Sequence, residues 1–182
     1  MRIIVGLGNP GEKYTNSRHN AGWIFLDNLI SNPNWQQSKK FKALIHKEID
    51  KIYVKPLTFM NNSGESVRKI MDFYGLLPRS LGIIAKKNQD LSGVLTVIHD
   101  ELDLDFGKEK NSTDSGSAGH KGVASIINHL KTKNFTRLRL GIKNELLKNK
   151  IPAENFVLQN FSKEELNDLI DTAKRYRQKE LF

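Results

Sequence analysis

The chain has 182 residues, 38% hydrophobic and 27% charged, which suits one globular domain spanning residues 1–182. With no cysteine, disulfides, thiolate catalysis and Cys-based zinc sites are excluded, and no run nears the roughly 20 apolar residues that cross a bilayer. The 29 Lys and Arg outweigh 20 Asp and Glu for a net charge of +9, and Lys131–Lys150 holds seven basic residues against one acid, Glu145. Such clustering favours a polyanion whose phosphates shed counterions, although a Lys-rich solvated face would read the same way.

Arg2 to Leu7 reads as a buried strand, its apolar run far shorter than a secretory signal core, so the cytosol is the expected compartment. After the turn Gly8-Asn9-Pro10-Gly11, Ala21 to Ile30 forms a helix, and Ala43 to Glu48 and Lys51 to Pro56 form strands around Ile49-Asp50. Asn62-x-x-Glu65, a capping-box variant, opens a second helix whose apolar face is Val67, Ile70, Met71 and Tyr74 and whose stop is Gly75. Val94 to Ile98 is the second strong buried strand. A third helix follows Gly119, with Val123, Ile126, Ile127 and Leu130 on one face. In Thr136 to Ile142 the apolar Leu138, Leu140 and Ile142 alternate with Arg137, Arg139 and Gly141, so both arginines are expected to point outward. Ser162-x-x-Glu165 is a capping box for the last helix, with Phe161 placed to staple onto Leu166. Arg79 to Gly93 and Lys110 to Gly119, rich in Gly, Ser, Asn and Lys, read as long loops. Interleaved strands and helices predict an α/β fold with a mixed sheet.

Gly6-Leu7-Gly8-Asn9-Pro10-Gly11 matches the dinucleotide pattern G-x-G-x-x-G after a strand. The pattern must open a helix that faces a pyrophosphate, and here Pro10 disfavours helix at Asn9 while Glu12 to Asn16 has no apolar face. The acid expected about 20 residues on is missing too, since Asp27 falls inside a helix. What remains is a strand that delivers Asn9, and then His19 flanked by Arg18 and Asn20, into a polar loop.

Val5-Gly6-Leu7-Gly8-Asn9-Pro10-Gly11, Tyr14, Arg18-His19-Asn20-Ala21-Gly22, Pro56 to Gly64 and His99-Asp100-Glu101-Leu102-Asp103-Leu104, followed by Gly119-His120-Lys121-Gly122 and Arg137 to Ile142, resemble in order the signatures of bacterial peptidyl-tRNA hydrolases. The resemblance runs from the first strand to about the last helix. It implies a monomeric, single-domain α/β/α sandwich around a mixed, mostly parallel twisted sheet, working on peptidyl-tRNA without cofactor, metal or membrane. By position it makes His19 the catalytic histidine and Asp100 its partner, with Asn9 and Asn61 lining the site. Tyr14, Phe59 and Met60 then fall beside the peptide or the tRNA 3′ end, His120 and Lys121 in a substrate-contacting loop, and Arg139 on the tRNA-facing side, where the alternation of the strand would let Arg137 join it. Two positions depart from the family. Lys121 stands where Asn is usual, and Ser112 where a tRNA-contacting Lys is common. A phosphate role for Lys121 would compensate for Ser112, and solvation at the helix start is the plain alternative. The connection from Arg79 to Gly93 is also longer than usual.

The residue types support that chemistry on their own. An aminoacyl ester needs a positioned water, a base and an oxyanion donor. Neutral histidine is a base near pH 7, a carboxylate on its other nitrogen sets the tautomer, and Asn amides can donate to an oxyanion. Asp100 suits the carboxylate role as the end of a buried strand. Three other readings compete: a metal site at His99-Asp100-Glu101-x-Asp103, a non-catalytic RNA binder, and the dinucleotide enzyme. A covalent serine is disfavoured because Ser115-Gly116-Ser117-Ala118-Gly119 lacks the first glycine of a nucleophile elbow.

Overall fold

A computed structural model of the chain describes residues 1–80, 84–85, 87–148 and 151–179. In chain order the elements are β1 (Arg2–Gly6), α1 (Ala21–Leu29), β2 (Gln36–Ser38), β3 (Ala43–Lys47), β4 (Lys51–Pro56), α2 (Ser63–Phe73), β5 (Arg79–Ser80) and β6 (Ile84–Ala85). They continue with β7 (Leu95–Asp105), β8 (Glu109–Ser112), α3 (Lys121–Leu130), β9 (Thr136–Lys143), α4 (Glu145–Lys148), α5 (Ala153–Phe156) and α6 (Lys163–Gln178).

Seven strands form one sheet in the order β2-β3-β4-β1-β7-β9-β8. Parallel pairs (β4–β1, β1–β7, β7–β9) make its centre, and antiparallel pairs (β2–β3, β3–β4, β8–β9) make both edges. The expected α/β/α sandwich and mixed sheet are therefore present, with the parallel share confined to the core. From Ile3 onward β1 carries no polar side chain because both of its faces are covered: Ile3 and Val5 join the cluster under α2 and α3, while Ile4 joins the cluster under α1 and α6. Gly6 and Gly22 let α1 lie directly on the strands. A Cβ on Gly22 would meet the Ile98 carbonyl oxygen at 2.4 Å, and one on Gly6 would meet the Gly22 oxygen at 2.4 Å. The glycine spacing that imitates a nucleotide fingerprint is thus a packing feature, and the chain after Gly11 makes only a 3-10 turn, Glu12–Tyr14.

Several elements differ from expectation. β7 runs on to Asp105, past a register irregularity against β9 between Glu101 and Asp105, so Asp100 does not end its strand. It sits instead just past Ile98, where pairing with β1 ends. Part of the loop expected from Lys110 is the edge strand β8, whose Glu-Lys-Asn-Ser sequence carries no apolar signal and is held by backbone pairing with Arg137–Leu140. The Arg79–Gly93 connection contains the antiparallel pair β5–β6, and its residues 81–83 and 86 lie outside the described residues, as do 149 and 150 of the basic run. Asn62 precedes α2 without a side-chain cap, because Glu65 pairs with Lys42 and Lys69, both at 2.8 Å. The capping box of α6 is complete, with Ser162 accepting from the Glu165 N–H.

Arg137 is the sharpest correction. It is 2% exposed, with its guanidinium donating to the carbonyls of Gly116 and Ser115 and lying 4.7 Å from the Phe135 ring centre. The polar face of β9 is roofed by the 115–116 stretch of the loop before α3, so alternation could not distinguish an outward arginine from one that binds the roof. Buried and engaged by those carbonyls, the Arg137 guanidinium does not point outward to phosphates as the alternation suggested.

Candidate active site

Just beyond the last β1–β7 pair, three loops meet above β7. The turn after β1 brings Asn9, the 3-10 turn Arg18–Asn20 brings His19, and the segment before α3 brings His120. They are stitched by polar contacts. The Asn9 N–H donates to Asn20 Oδ1 (2.8 Å), Asn20 Nδ2 returns to the Asn9 carbonyl (3.1 Å), and Asn9 Oδ1 accepts from the Met60 N–H (2.8 Å). Arg18 anchors the histidine loop from beneath. It is 2% exposed, makes a bidentate pair with Glu165 at 3.0 and 2.7 Å, and packs 4.7 and 5.0 Å from the ring centres of Phe156 and Phe161. Glu165 is also the capping-box residue of α6, so the last helix and the His19 loop share one carboxylate.

At the centre, Asp100 accepts from His19 Nδ1 (2.9 and 3.0 Å to its two oxygens) and from His120 Nε2 (2.9 Å). His120 also caps α3, its Nδ1 accepting from the N–H groups of Gly122 (3.1 Å) and Val123 (3.3 Å). With Nδ1 accepting, Nε2 must carry the proton, so neutral His120 can only donate to Asp100. His19 likewise gives its Nδ1 proton to Asp100, leaving Nε2 as a lone pair for chemistry. Burial by itself would lower the His19 pKa, but the charge and hydrogen bond of Asp100 carry it above its ordinary 6.5, with Lys121 pulling the other way. Burial would raise the Asp100 carboxyl, yet the two imidazoles hold it well below its usual range, so it is ionised. His99 plays a different part. Its Nδ1 donates to the Asp100 carbonyl at 2.7 Å, and burial, then the adjacent His120, push its pKa down to about 3, so it stays neutral.

These residues floor a cleft of about 510 Å³ lined by Asn9, His19, Phe59, Met60, Asn61, Asp100, His120 and Lys121. Asn9 and Met60 are buried, Asn61 is exposed, and Phe59 is 57% exposed at the rim. Tyr14 is not among the lining residues; it sits in its own turn with Lys13 4.8 Å above its ring. Arg139 borders a neighbouring cavity of about 300 Å³ that shares Glu101 and Ala118 with the cleft, and it pairs with Glu101 at 2.8 Å. Sequence reasoning missed the Glu101–Arg139 pair, the His120–Asp100 bond and the wall formed by Ala153, Glu154, Val157 and Leu158 from α5 and the turn after it. The short α5 has no periodic apolar signal, and the Glu101 of the acidic motif was the only cue for the pair.

The donor set also speaks to metal binding. Asp100 faces the two imidazoles, Glu101 pairs with Arg139 and Asp103 is exposed, so the acidic motif does not converge. His19, Asp100 and His120 do converge, with potential ligand atoms within 4.8 Å of one another. His120 Nε2 is a poor ligand, however, because a metal there would need the proton on Nδ1, which is already accepting two N–H bonds.

An α/β sandwich with a His–Asp pair at the base of a cleft, an unencumbered histidine nitrogen and amides around it defines an ester-hydrolase type of site. The sequence pattern of the Peptidyl-tRNA hydrolase family matches residues 3–180, and the chain belongs to that family. It is 42% identical over 176 residues to a peptidyl-tRNA hydrolase of Mycoplasma mycoides subsp. mycoides, covering 92% of this chain and 84% of that protein. It is 39% identical over 176 residues to the peptidyl-tRNA hydrolase of Bacillus subtilis, covering 93% and 84%. The crystal structure of peptidyl-tRNA hydrolase from Acinetobacter baumannii superposes with a TM-score of 0.74 at 29% identity, covering 100% of this chain and 90% of that one.

Proposed function

We propose that the chain hydrolyses the ester between a peptide and the 3′-terminal ribose of tRNA, with His19 as general base and Asp100 as its orienting partner. The observation that carries the reading is the polarised chain His19–Asp100–His120, which commits every proton except the one His19 Nε2 is free to take. His19 Nε2 removes a proton from water, and the oxygen attacks the ester carbonyl carbon. The tetrahedral oxyanion is met by amide donors from Asn9 and Asn61, since Asn9 Oδ1 is already spent on Met60 and its Nδ2 remains. Collapse breaks the bond to the ribose 3′ oxygen, which recovers the proton from His19. The imidazolium formed in between is stabilised by ionised Asp100.

Exposed Phe59 and Leu158 at the cleft border give apolar surface for peptide side chains, and Arg139, oriented by Glu101 beside the cleft, is the residue we assign to the tRNA backbone. The accompanying proposal is a monomer acting in the cytoplasm, where a tRNA substrate is found. A purely RNA-binding role is disfavoured by the intact proton geometry. The test is release of N-acetyl amino acid from N-acetyl-aminoacyl-tRNA. Turnover should fall by about 10²- to 10⁴-fold in His19→Ala, and a folded variant with near wild-type turnover would refute the base assignment.

A further inference from the structure

Lys121 is the one fixed cation among the described residues lining the cleft. It stands at the first position of α3, beside His120, and reaches across to Glu154 of α5 at 3.6 Å, both side chains largely exposed. The other cleft carboxylates are engaged: Asp100 by two imidazoles, Glu101 by Arg139. Lys121 therefore has Glu154 as its counter-charge in the cleft, at a separation too long for a tight pair. It lines the same cleft as His19 and follows His120, whose ring bonds Asp100.

The position of that field matters because of what the two ends of a tRNA ester look like. The carbonyl carbon must lie beside the water held by His19, and the α-nitrogen of the amino acid is only two bonds from that carbon. A cation lining that cleft therefore acts on the α-nitrogen as well. In a peptidyl ester this nitrogen is a neutral amide; in the ester of a free amino acid it is an ammonium at neutral pH. We propose that Lys121 is a specificity-determining residue that excludes aminoacyl-tRNA by charge repulsion, while Glu154 partly damps its field. The proposal rests on the peptidyl-tRNA ester reading of the cleft. Two unit charges several ångströms apart at a partly solvated site shift a rate or equilibrium by roughly three- to thirtyfold.

One tRNA carrying N-acetyl-phenylalanine, phenylalanine or phenyllactate isolates the effect, because phenyllactate keeps the side chain and replaces the ammonium with a neutral hydroxyl. The readout is the ratio of kcat/KM for phenylalanyl to phenyllactyl ester, in which His19, Asp100, His120 and Glu101 act on both esters alike. Lys121→Met should raise that ratio by about three- to thirtyfold, Lys121→Arg should leave it near wild type, and Glu154→Gln should move it the opposite way from Lys121→Met. The rise in Lys121→Met should shrink as pH passes the titration of the substrate amine and as salt screens the charges. An unmoved ratio overturns the charge filter. So does a parallel loss on all three esters, which would mark Lys121 as a phosphate contact, and so does a change that persists at pH 8.5. Failure of the wild-type protein to cleave N-acetyl-phenylalanyl-tRNA overturns the ester reading and the filter together, which separates it from turnover with an unmoved ratio.

Discussion

Replacing Asp100 by Asn removes one charge and one acceptor from a site where two histidines donate. The carboxylate accepts from His19 Nδ1 and from His120 Nε2, and an amide presents one oxygen and one NH₂ in their place. With its oxygen at the position both rings share, the amide turns its NH₂ toward His19 Nδ1 at the 2.9 Å position, and turned the other way its NH₂ meets both rings. His120 cannot yield, because a proton moved to its Nδ1 would collide with the N–H groups of Gly122 and Val123. His19 opens onto the cleft and has no such lock, so its proton moves to Nε2 and the base is lost. A wrong tautomer of this kind lowers kcat by roughly 10³- to 10⁴-fold in His–Asp catalytic pairs. The pH profile should change in a defined direction as well. Asp100 raises the His19 pKa against the pull of burial, so the wild-type acid limb of kcat/KM lies above pH 6.5, where His19 loses its proton. Without the carboxylate, burial and Lys121 both favour the neutral ring, and any residual activity should have its acid limb below that of wild type. Single-turnover hydrolysis of N-acetyl-aminoacyl-tRNA across pH 5–9 measures both effects. Residual kcat within about tenfold of wild type, or an acid limb that does not move down, would refute the tautomer argument.

Glu165→Gln should cost about 3 kcal/mol in urea unfolding, because it strands the buried Arg18 guanidinium. The Glu165 pKa is lowered by Arg18, Ser162 and Asn144 against the opposing effect of burial, so this stability is complete above the unfolded Glu value of about 4.3 and is lost as pH falls through the folded value. Arg137→Met should lower stability by about 2–4 kcal/mol by orphaning the Gly116 and Ser115 carbonyls; an unchanged urea midpoint would contradict its burial. Arg139→Gln, which keeps a donor for Glu101, should instead reduce the slope of log affinity for tRNA against log salt by about 0.7–0.9 for each phosphate that residue 139 no longer neutralises. Gly22→Ala drives a Cβ to 2.4 Å from the Ile98 carbonyl and should cost about 3 kcal/mol or more, seen as a Tm drop of roughly 6–12 °C.

The apolar strands, the helix faces and the last capping box were legible in the sequence, because they depend on local period and local hydrogen bonding. β1, the Val67–Ile70–Met71 face of α2 and the Ser162–Glu165 box all read correctly from neighbours a few residues apart. The order of motifs also placed His19, Asp100, Asn9 and Asn61 in one site, and the cleft brings them together. The rest needed partners that folding brings from far along the chain. The extension of β7 through charged residues, and β8 with no apolar residue, depend on backbone pairing with distant strands. Arg137 and Arg139 share one face of β9 in the sequence pattern, yet a loop roofs Arg137 while a carboxylate of the adjacent strand, Glu101, orients Arg139. The tautomer of His120 was set by two N–H groups at a helix start, and Lys121 faces Glu154 because folding brings α5 to the wall of the cleft. A residue type limits the bonds it can make, and the partner that the fold brings to it settles which of them it makes.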